Sequence, residues 1–126
     1  NIVMNMNNDT PYTNYYSHYL NGNGSAASSG AVQASGYYSL IGNLATSNAS
    51  YANMFGTQII DVLEYASTNK YKTIRGLAGI DGNGYGRMVL GSGNWRNTNA
   101  ITSITMDTSS GTNYPQYSSF ALYGVK

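Results

Sequence analysis

A chain of 126 residues with 41% hydrophobic side chains suits one domain built around one core. Only 9% of its residues are charged, the net charge is +1 without a basic run, and Cys is absent. This argues against nucleic acid and membrane as partners, since no dense cationic patch and no apolar stretch of ~20 residues is present, and it makes disulfides and thiolate metal sites impossible.

Neutral polar groups must cover the surface in place of charges. Asn, Ser, Thr and Gly together make up 57 of the 126 residues, and 13 more are Tyr. Gly, Asn and Ser punctuate chains with turns, while Thr and Tyr fit a pleated, half-buried surface.

Residues 2–7 alternate Ile2, Met4 and Met6 against Val3, Asn5 and Asn7, which predicts a strand with one apolar face. Residues 8–11 read as a turn and residues 12–20 as an aromatic-rich second strand, ended by the Asn-Gly steps of residues 21–24. Residues 25–35 are low in bulk and read as a loop running into a strand. Residues 37–44 look like a third strand and residues 45–53 like a polar loop.

Residues 55–66 fit two periods. Ile59, Ile60, Leu63 and Tyr65 could form a helical stripe, but Phe55, Thr57, Ile59, Asp61, Leu63 and Tyr65 also alternate. Helix propensity is modest and no Glu–Lys pairing supports an exposed helical face, so a strand is the reading. Residues 67–70 then turn into a strand over 71–78, and residues 81–84 turn into one over 86–90. Residues 100–108 alternate, residues 109–116 form a loop holding Pro115, and residues 118–125 set Phe120, Leu122 and Gly124 against Ala121, Tyr123 and Val125. About eight short strands without a helix longer than two turns predict an all-β chain, an antiparallel β-sandwich of jelly-roll-like form, with residues 1–126 as a single domain.

The chemistry-bearing residues form no obvious constellation. The acids Asp9, Asp61, Glu64, Asp81 and Asp107 show no pair placed across a cleft, as glycoside hydrolysis requires. His18 is the only histidine, and no Gly-x-Ser-x-Gly elbow presents a serine to it. Residues 81–84 resemble the opening of a calcium loop, but position 92 is Ser where the pattern needs an acid. Residues 7–9 could offer oxygens to a hard cation, yet Asn clusters are common in so Asn-rich a chain. No catalytic residue, metal site or cofactor is expected, and the chain is read as a non-enzyme. The Tyr excess allows two accounts: packing in the core or between subunits, or a ligand platform of flat faces with hydroxyls. The platform candidates are Tyr12, Tyr15, Tyr16, Tyr114 and Tyr117.

Residues 93–105, Gly-Asn-Trp-Arg-Asn-Thr-Asn-Ala-Ile-Thr-Ser-Ile-Thr, are followed by residues 118–126, Ser-Ser-Phe-Ala-Leu-Tyr-Gly-Val-Lys. This pairing resembles a C-terminal pattern of uncharacterised tailed-phage virion structural and tail-fibre proteins from marine and environmental sources. Residues 4–9, 14–17, 20–25, 59–62 and 68–70 follow the order of the same pattern. The resemblance implies a place on the virion surface, in capsid decoration, tail fibre or appendage. It also implies partners: further copies of the chain, trimeric in a fibre, and other virion proteins, or a host surface glycan if the module recognises a receptor. It brings no catalytic residue.

Three expectations follow. Trp95, Ile101, Ile104, Phe120 and Leu122 should lie mostly buried, so that Phe120→Ala would cost ~3–5 kcal/mol. Asn1 opens directly into a strand with no initiator, so the chain is expected to be the C-terminal part of a longer virion protein. The first strand should then sit at a sheet edge, covered by preceding residues or by another subunit.

Overall fold

A computed structural model describes residues 2–11, 13–35, 38–40, 54–82, 84, 86–109, 111 and 113–125. Among them there is no helix. The strands are β1 (Ile2–Met6), β2 (Tyr15–Gly22), β3 (Ala27–Ser35), β4 (Tyr38–Leu40), β5 (Thr57–Val62), β6 (Lys72–Asp81), β7 (Gly86–Trp95) and β8 (Ile104–Thr108). They form two antiparallel sheets, one in the order β4-β1-β8 and one in the order β3-β2-β7-β6-β5. The chain is therefore an all-β protein whose sheets are consistent with a sandwich.

Local chemistry explains the turns. Asn23 closes the β2–β3 hairpin by accepting from the backbone N–H groups of Ser25 and Ala26 on its Oδ1, while Gly24 takes the left-handed conformation at φ 87°. β6 and β7 are paired as far as Asp81 opposite Gly86, with Gly84 at φ 97° in the turn between them. β5 leads into β6 through a longer connection, where Leu63 N–H donates to Thr73 O and Lys70 pairs with Glu64.

The core follows from period-two alternation. In β6 the residues Lys72, Ile74, Gly76, Ala78 and Ile80 are buried, while Thr73, Arg75, Leu77 and Asp81 are exposed. β1 supplies Ile2, Met4 and Met6, which meet Tyr15, Ile74 and Trp95 of the larger sheet. Ile60, Val62, Ile101, Met106 and Tyr114 pack partly against that cluster.

Several sequence expectations change. Residues 25–35 are strand from Ala27 onward, because Ala27 to Val32 pair in register with β2 and Ser35 pairs again with Tyr15 after a register shift. β7 runs on to Trp95, well beyond residue 90, since Gly91–Trp95 are paired on both sides by β2 and β6. Residues 101–103 are not strand. Ile101 donates its backbone N–H to Tyr65 O, and the backbone N–H groups of Thr102 and Ser103 are taken up by Asn7. The whole of the expected loop at 45–53, and all of the strand at 37–44 except residues 38–40, lie outside the described residues.

The C-terminal expectation is corrected. Residues 118–125 form no strand, and Phe120, Leu122, Tyr123 and Val125 are 55%, 88%, 81% and 88% exposed. Ile104 is also exposed and Ile101 half-buried; of the five residues expected to be mostly buried, Trp95 alone is fully so. The physical reason is that alternation requires a neighbouring strand to become a sheet, and the described residues offer this segment none. The edge expectation is corrected too. β1 is the middle strand of its sheet, paired with β4 and β8 on its two sides.

Two outcomes follow. Phe120→Ala should change unfolding free energy by less than about 1 kcal/mol, because the side chain is more than half exposed, and denaturant unfolding will show it. Burial pushes the Tyr15 phenol up to about 12, with the Met6 backbone hydrogen bond opposing the shift and Asp9 adding to it. The folded chain then keeps a proton that the unfolded chain releases above pH 10. The stability tied to that proton is fully present below pH 10 and is lost as pH rises toward 12, on the order of 2–3 kcal/mol. Urea midpoints measured across that range should fall more steeply for the native chain than for Tyr15→Phe.

Candidate functional site

The three largest buried side chains stand in one cross-strand row. Tyr15 on β2 is opposite Trp95 on β7, which is opposite Lys72 on β6. The Tyr15 hydroxyl accepts from Met6 N–H at 2.9 Å and so ties the larger sheet to β1. The Lys72 ammonium is fully buried, without a carboxylate partner among the described residues. It donates to the carbonyls of Ser67, Lys70 and Thr98 at 2.7, 2.9 and 2.8 Å, lies 3.4 Å from that of Asn97, and stands 5.7 Å from the Trp95 ring centroid. Its three N–H groups are thus matched by surrounding carbonyl dipoles. Burial holds its pKa below the ordinary lysine value, with Glu64 acting in the opposite direction.

Asp9, in the segment after β1, gathers the other polar groups. Its Oδ2 accepts from Trp95 Nε1 at 2.6 Å and from Asn97 Nδ2 at 3.1 Å, and Asn14 Nδ2 reaches both carboxylate oxygens at 2.9 Å. Asn7 and Asn8 make this approach possible by adopting φ 52° and 54°, a region Asn tolerates better than most residues. The Asn7 side chain then holds the segment before β8. It donates to Ala100 O at 2.8 Å and accepts from the N–H groups of Thr102 and Ser103 at 2.8 and 3.1 Å. Arg96 donates its backbone N–H to Asn14 O and stacks its guanidinium over Tyr16, 5.2 Å from the ring centroid. Residues 7–9, 14 and 95–103 are therefore one lock.

The platform tyrosines do not form one described surface. Tyr15 is 1% exposed and belongs to the core, which corrects its reading as a ligand contact: its strand parity turns it inward beside Trp95. Tyr16 is half-buried beneath Arg96. Tyr114 is half-buried, edge-on to Phe120 at 5.0 Å, and burial raises its phenol pKa; its hydroxyl has no partner among the described residues. Tyr117 is 83% exposed at φ 72°. Tyr12 lies outside the described residues.

A different surface carries the unspent apolar area. On the outer face of the larger sheet, Leu20, Leu90, Leu77 and Ile59 stand directly opposite one another on β2, β7, β6 and β5. All four are exposed, as is Met88, which faces Gly22 on one side and Gly79 on the other. A parallel row reads His18, Ser92, Arg75 and Asp61, the last two joined by a 2.7 Å ion pair. Beside the apolar row a shallow depression of about 580 Å³ is lined by His18, Leu20, Ser29, Ala31, Leu90 and Ser92, with Arg75 among its walls. At its β3 side, Gly30 permits a close approach: a Cβ there would lie 2.5 Å from the Tyr19 hydroxyl.

No family model matches this chain, and no curated protein or solved structure was found to be similar to it. Among the described residues, no three of His, Cys, Asp and Glu gather where they could hold a metal ion.

Sequence reading missed Lys72 as a core residue, although a signal for it exists. Lys72 falls in phase with Ile74, Ala78 and Ile80. The outer row was harder to find, because it joins residues up to 70 positions apart through register alone.

Asp9→Asn keeps the size of the side chain but leaves one amide oxygen to serve donors from Trp95, Asn97 and Asn14. The variant should lose about 2–4 kcal/mol of stability. Emission from Trp95, the only Trp, should change as its indole N–H loses its charged acceptor, whereas unchanged emission with an unchanged melting temperature would show the lock to be dispensable.

Proposed function

We propose that this domain is a non-catalytic structural module on the surface of a phage particle, built to assemble with copies of itself or with other capsid or tail proteins. The reading is carried by the apolar row Leu20–Leu90–Leu77–Ile59, with Met88 beside it, on the outer face of the five-stranded sheet. Contiguous exposed apolar side chains on a folded sheet mark interaction surfaces more often than scattered ones do. The chain's low charge offers little electrostatic resistance to association. The virion setting rests on the resemblance of residues 93–105 and 118–126 to phage structural and tail-fibre proteins, and the same resemblance favours residues 1–126 being the C-terminal part of a longer chain.

The second reading is a receptor-binding module that recognises host glycan. It is favoured by the depression beside the row, where hydroxyls of Ser29 and Ser92 and the imidazole of His18 accompany Leu20 and Leu90. Small-molecule sites are concave and combine an apolar lining with a few placed polar groups.

Leu90→Asp places a charge in the middle of the row at a side chain that is 48% exposed, so the fold should survive it. Sedimentation velocity should show the native chain associating with rising concentration and the variant associating at least tenfold more weakly, with melting temperatures within a few degrees of each other. A native chain that stays monomeric at high concentration, and that binds on a glycan array in a manner abolished by Ser92→Trp, would replace assembly with the receptor reading.

A further inference from the structure

The sequence holds three Asn-Gly steps, at residues 21–22, 23–24 and 83–84. An Asn followed by Gly can lose its side-chain amide without an enzyme, because the backbone nitrogen of a residue lacking Cβ is unshielded and can attack the neighbouring side-chain carbon. Where the fold puts the step decides whether this happens. Asn21 and Gly22 lie inside β2. Gly22 is paired with Ala27 on one side and Met88 on the other. The Asn21 side chain is held too, its Nδ2 donating to Ser28 Oγ at 3.0 Å and its Oδ1 accepting from Arg87. Neither group is free to turn toward the other. Asn83 lies outside the described residues.

Asn23 and Gly24 stand in the opposite situation. Both are exposed, in the turn between β2 and β3. Gly24 sits at φ 87° with nothing within 4 Å of the position a Cβ would take, and its N–H has no acceptor among the described residues. The nucleophile is thus unpaired and unhindered. The Asn23 Oδ1 accepts from the backbone N–H groups of Ser25 at 3.0 Å and Ala26 at 2.8 Å. When the Gly24 nitrogen adds to the Asn23 side-chain carbon, negative charge develops on that oxygen. Two fixed N–H dipoles aimed at it hold that charge better than they hold the neutral amide, which is the arrangement of an oxyanion hole.

We propose that Asn23 is a site of spontaneous, turn-assisted deamidation that loosens the β2–β3 hairpin with age. The Gly24 nitrogen loses its proton to solvent and bonds to Asn23 Cγ; the bond from Cγ to Nδ2 breaks, and ammonia leaves. Water then opens the cyclic imide at either of its C–N bonds, giving Asp or its β-linked isomer. One water is consumed, one ammonia is released, and nothing is oxidised or reduced. At neutral pH either product adds a negative charge, which cancels the chain's net charge of +1. The β-linked product also lengthens the main chain of the turn by a methylene and makes the former Oδ1 a backbone carbonyl oxygen, so the contacts that close the hairpin are lost. Among the described residues β3 is held by β2 alone, and its Ser29 and Ala31 line the depression on the outer face. That wall is what the modification loosens. This chemistry does not depend on what the outer face binds.

The test compares the native chain with Asn23→Ser, which keeps an oxygen acceptor for the turn but has no amide to lose. Both are held at mildly alkaline pH and sampled over weeks, folded and in urea. Peptide mapping with fragmentation reads the mass gained when the amide nitrogen gives way to oxygen, and separates β-linked from ordinary Asp. In the folded native chain Asn23 should convert at least tenfold faster than Asn21, whereas in urea the two steps should convert at similar rates. Amide hydrogen exchange over residues 27–31 should quicken in the aged native chain and stay unchanged in aged Asn23→Ser. Asn21 keeping pace with Asn23 in the folded chain would overturn the proposal. So would an Asn23 that stays intact in the folded chain while converting in urea, or unchanged exchange over residues 27–31 in a fully converted sample.

Discussion

One carboxylate organises the part of the fold where the two sheets meet. Asp9 receives N–H groups from Trp95 at the end of β7, from Asn97 beyond it, and from Asn14 ahead of β2. The segment that leaves the smaller sheet is thereby fastened to the larger one at three places. Lys72 does the complementary work on the other side of Trp95, closing the connection before β6 and the exit from β7 with one ammonium. The chain has 11 charged residues, and placing two of them here shows where its electrostatics matter. The exposed pairs Arg75–Asp61 and Lys70–Glu64 stand in solvent and contribute little. A group removed from water and matched by several dipoles costs much more to disturb, because its partners are left unpaired as well.

How much of this was legible depended on whether the signal was local. Apolar alternation in β1, and the turn chemistry around residues 21–24 and 81–84, are local and placed the corresponding elements. β3 and the second half of β7 are different. Gly91-Ser92-Gly93-Asn94 carries almost no apolar pattern, and it becomes strand because β2 and β6 flank it. Central position, a property of the whole sheet, overrides weak local propensity. The reverse holds at residues 118–125, where the pattern is clear and the described residues offer no partner strand. Period two reports that a segment is able to pair, and says nothing about where the pairing strand lies.

Tyrosine shows the same limit at the site. Tyr15 and Tyr16 are adjacent and chemically identical, yet one is sealed against Trp95 and the other lies beneath Arg96 at the surface. Composition identified an excess of Tyr and could not divide it between the two faces of β2. That division needs the register, and a one-residue slip would exchange the two roles. The Asn7-Asn8-Asp9 cluster was open to a cation-binding reading for its oxygens. In the fold, the side-chain oxygens of Asn7 and Asp9 are occupied by N–H donors from the chain itself.

The layering of the fold separates what holds it together from what it presents. In the smaller sheet β1 has both sides paired inside the chain, and its Ile2, Met4 and Met6 are spent on the core with Tyr15, Ile74 and Trp95. The apolar row Leu20–Leu90–Leu77–Ile59 lies on the other layer, on the face of the five-stranded sheet turned away from that core, so changing it leaves the Asp9 and Lys72 contacts untouched. A sheet face that met its own copy would be isologous, the row of one chain covering that of the other, and such a contact closes as a pair instead of propagating.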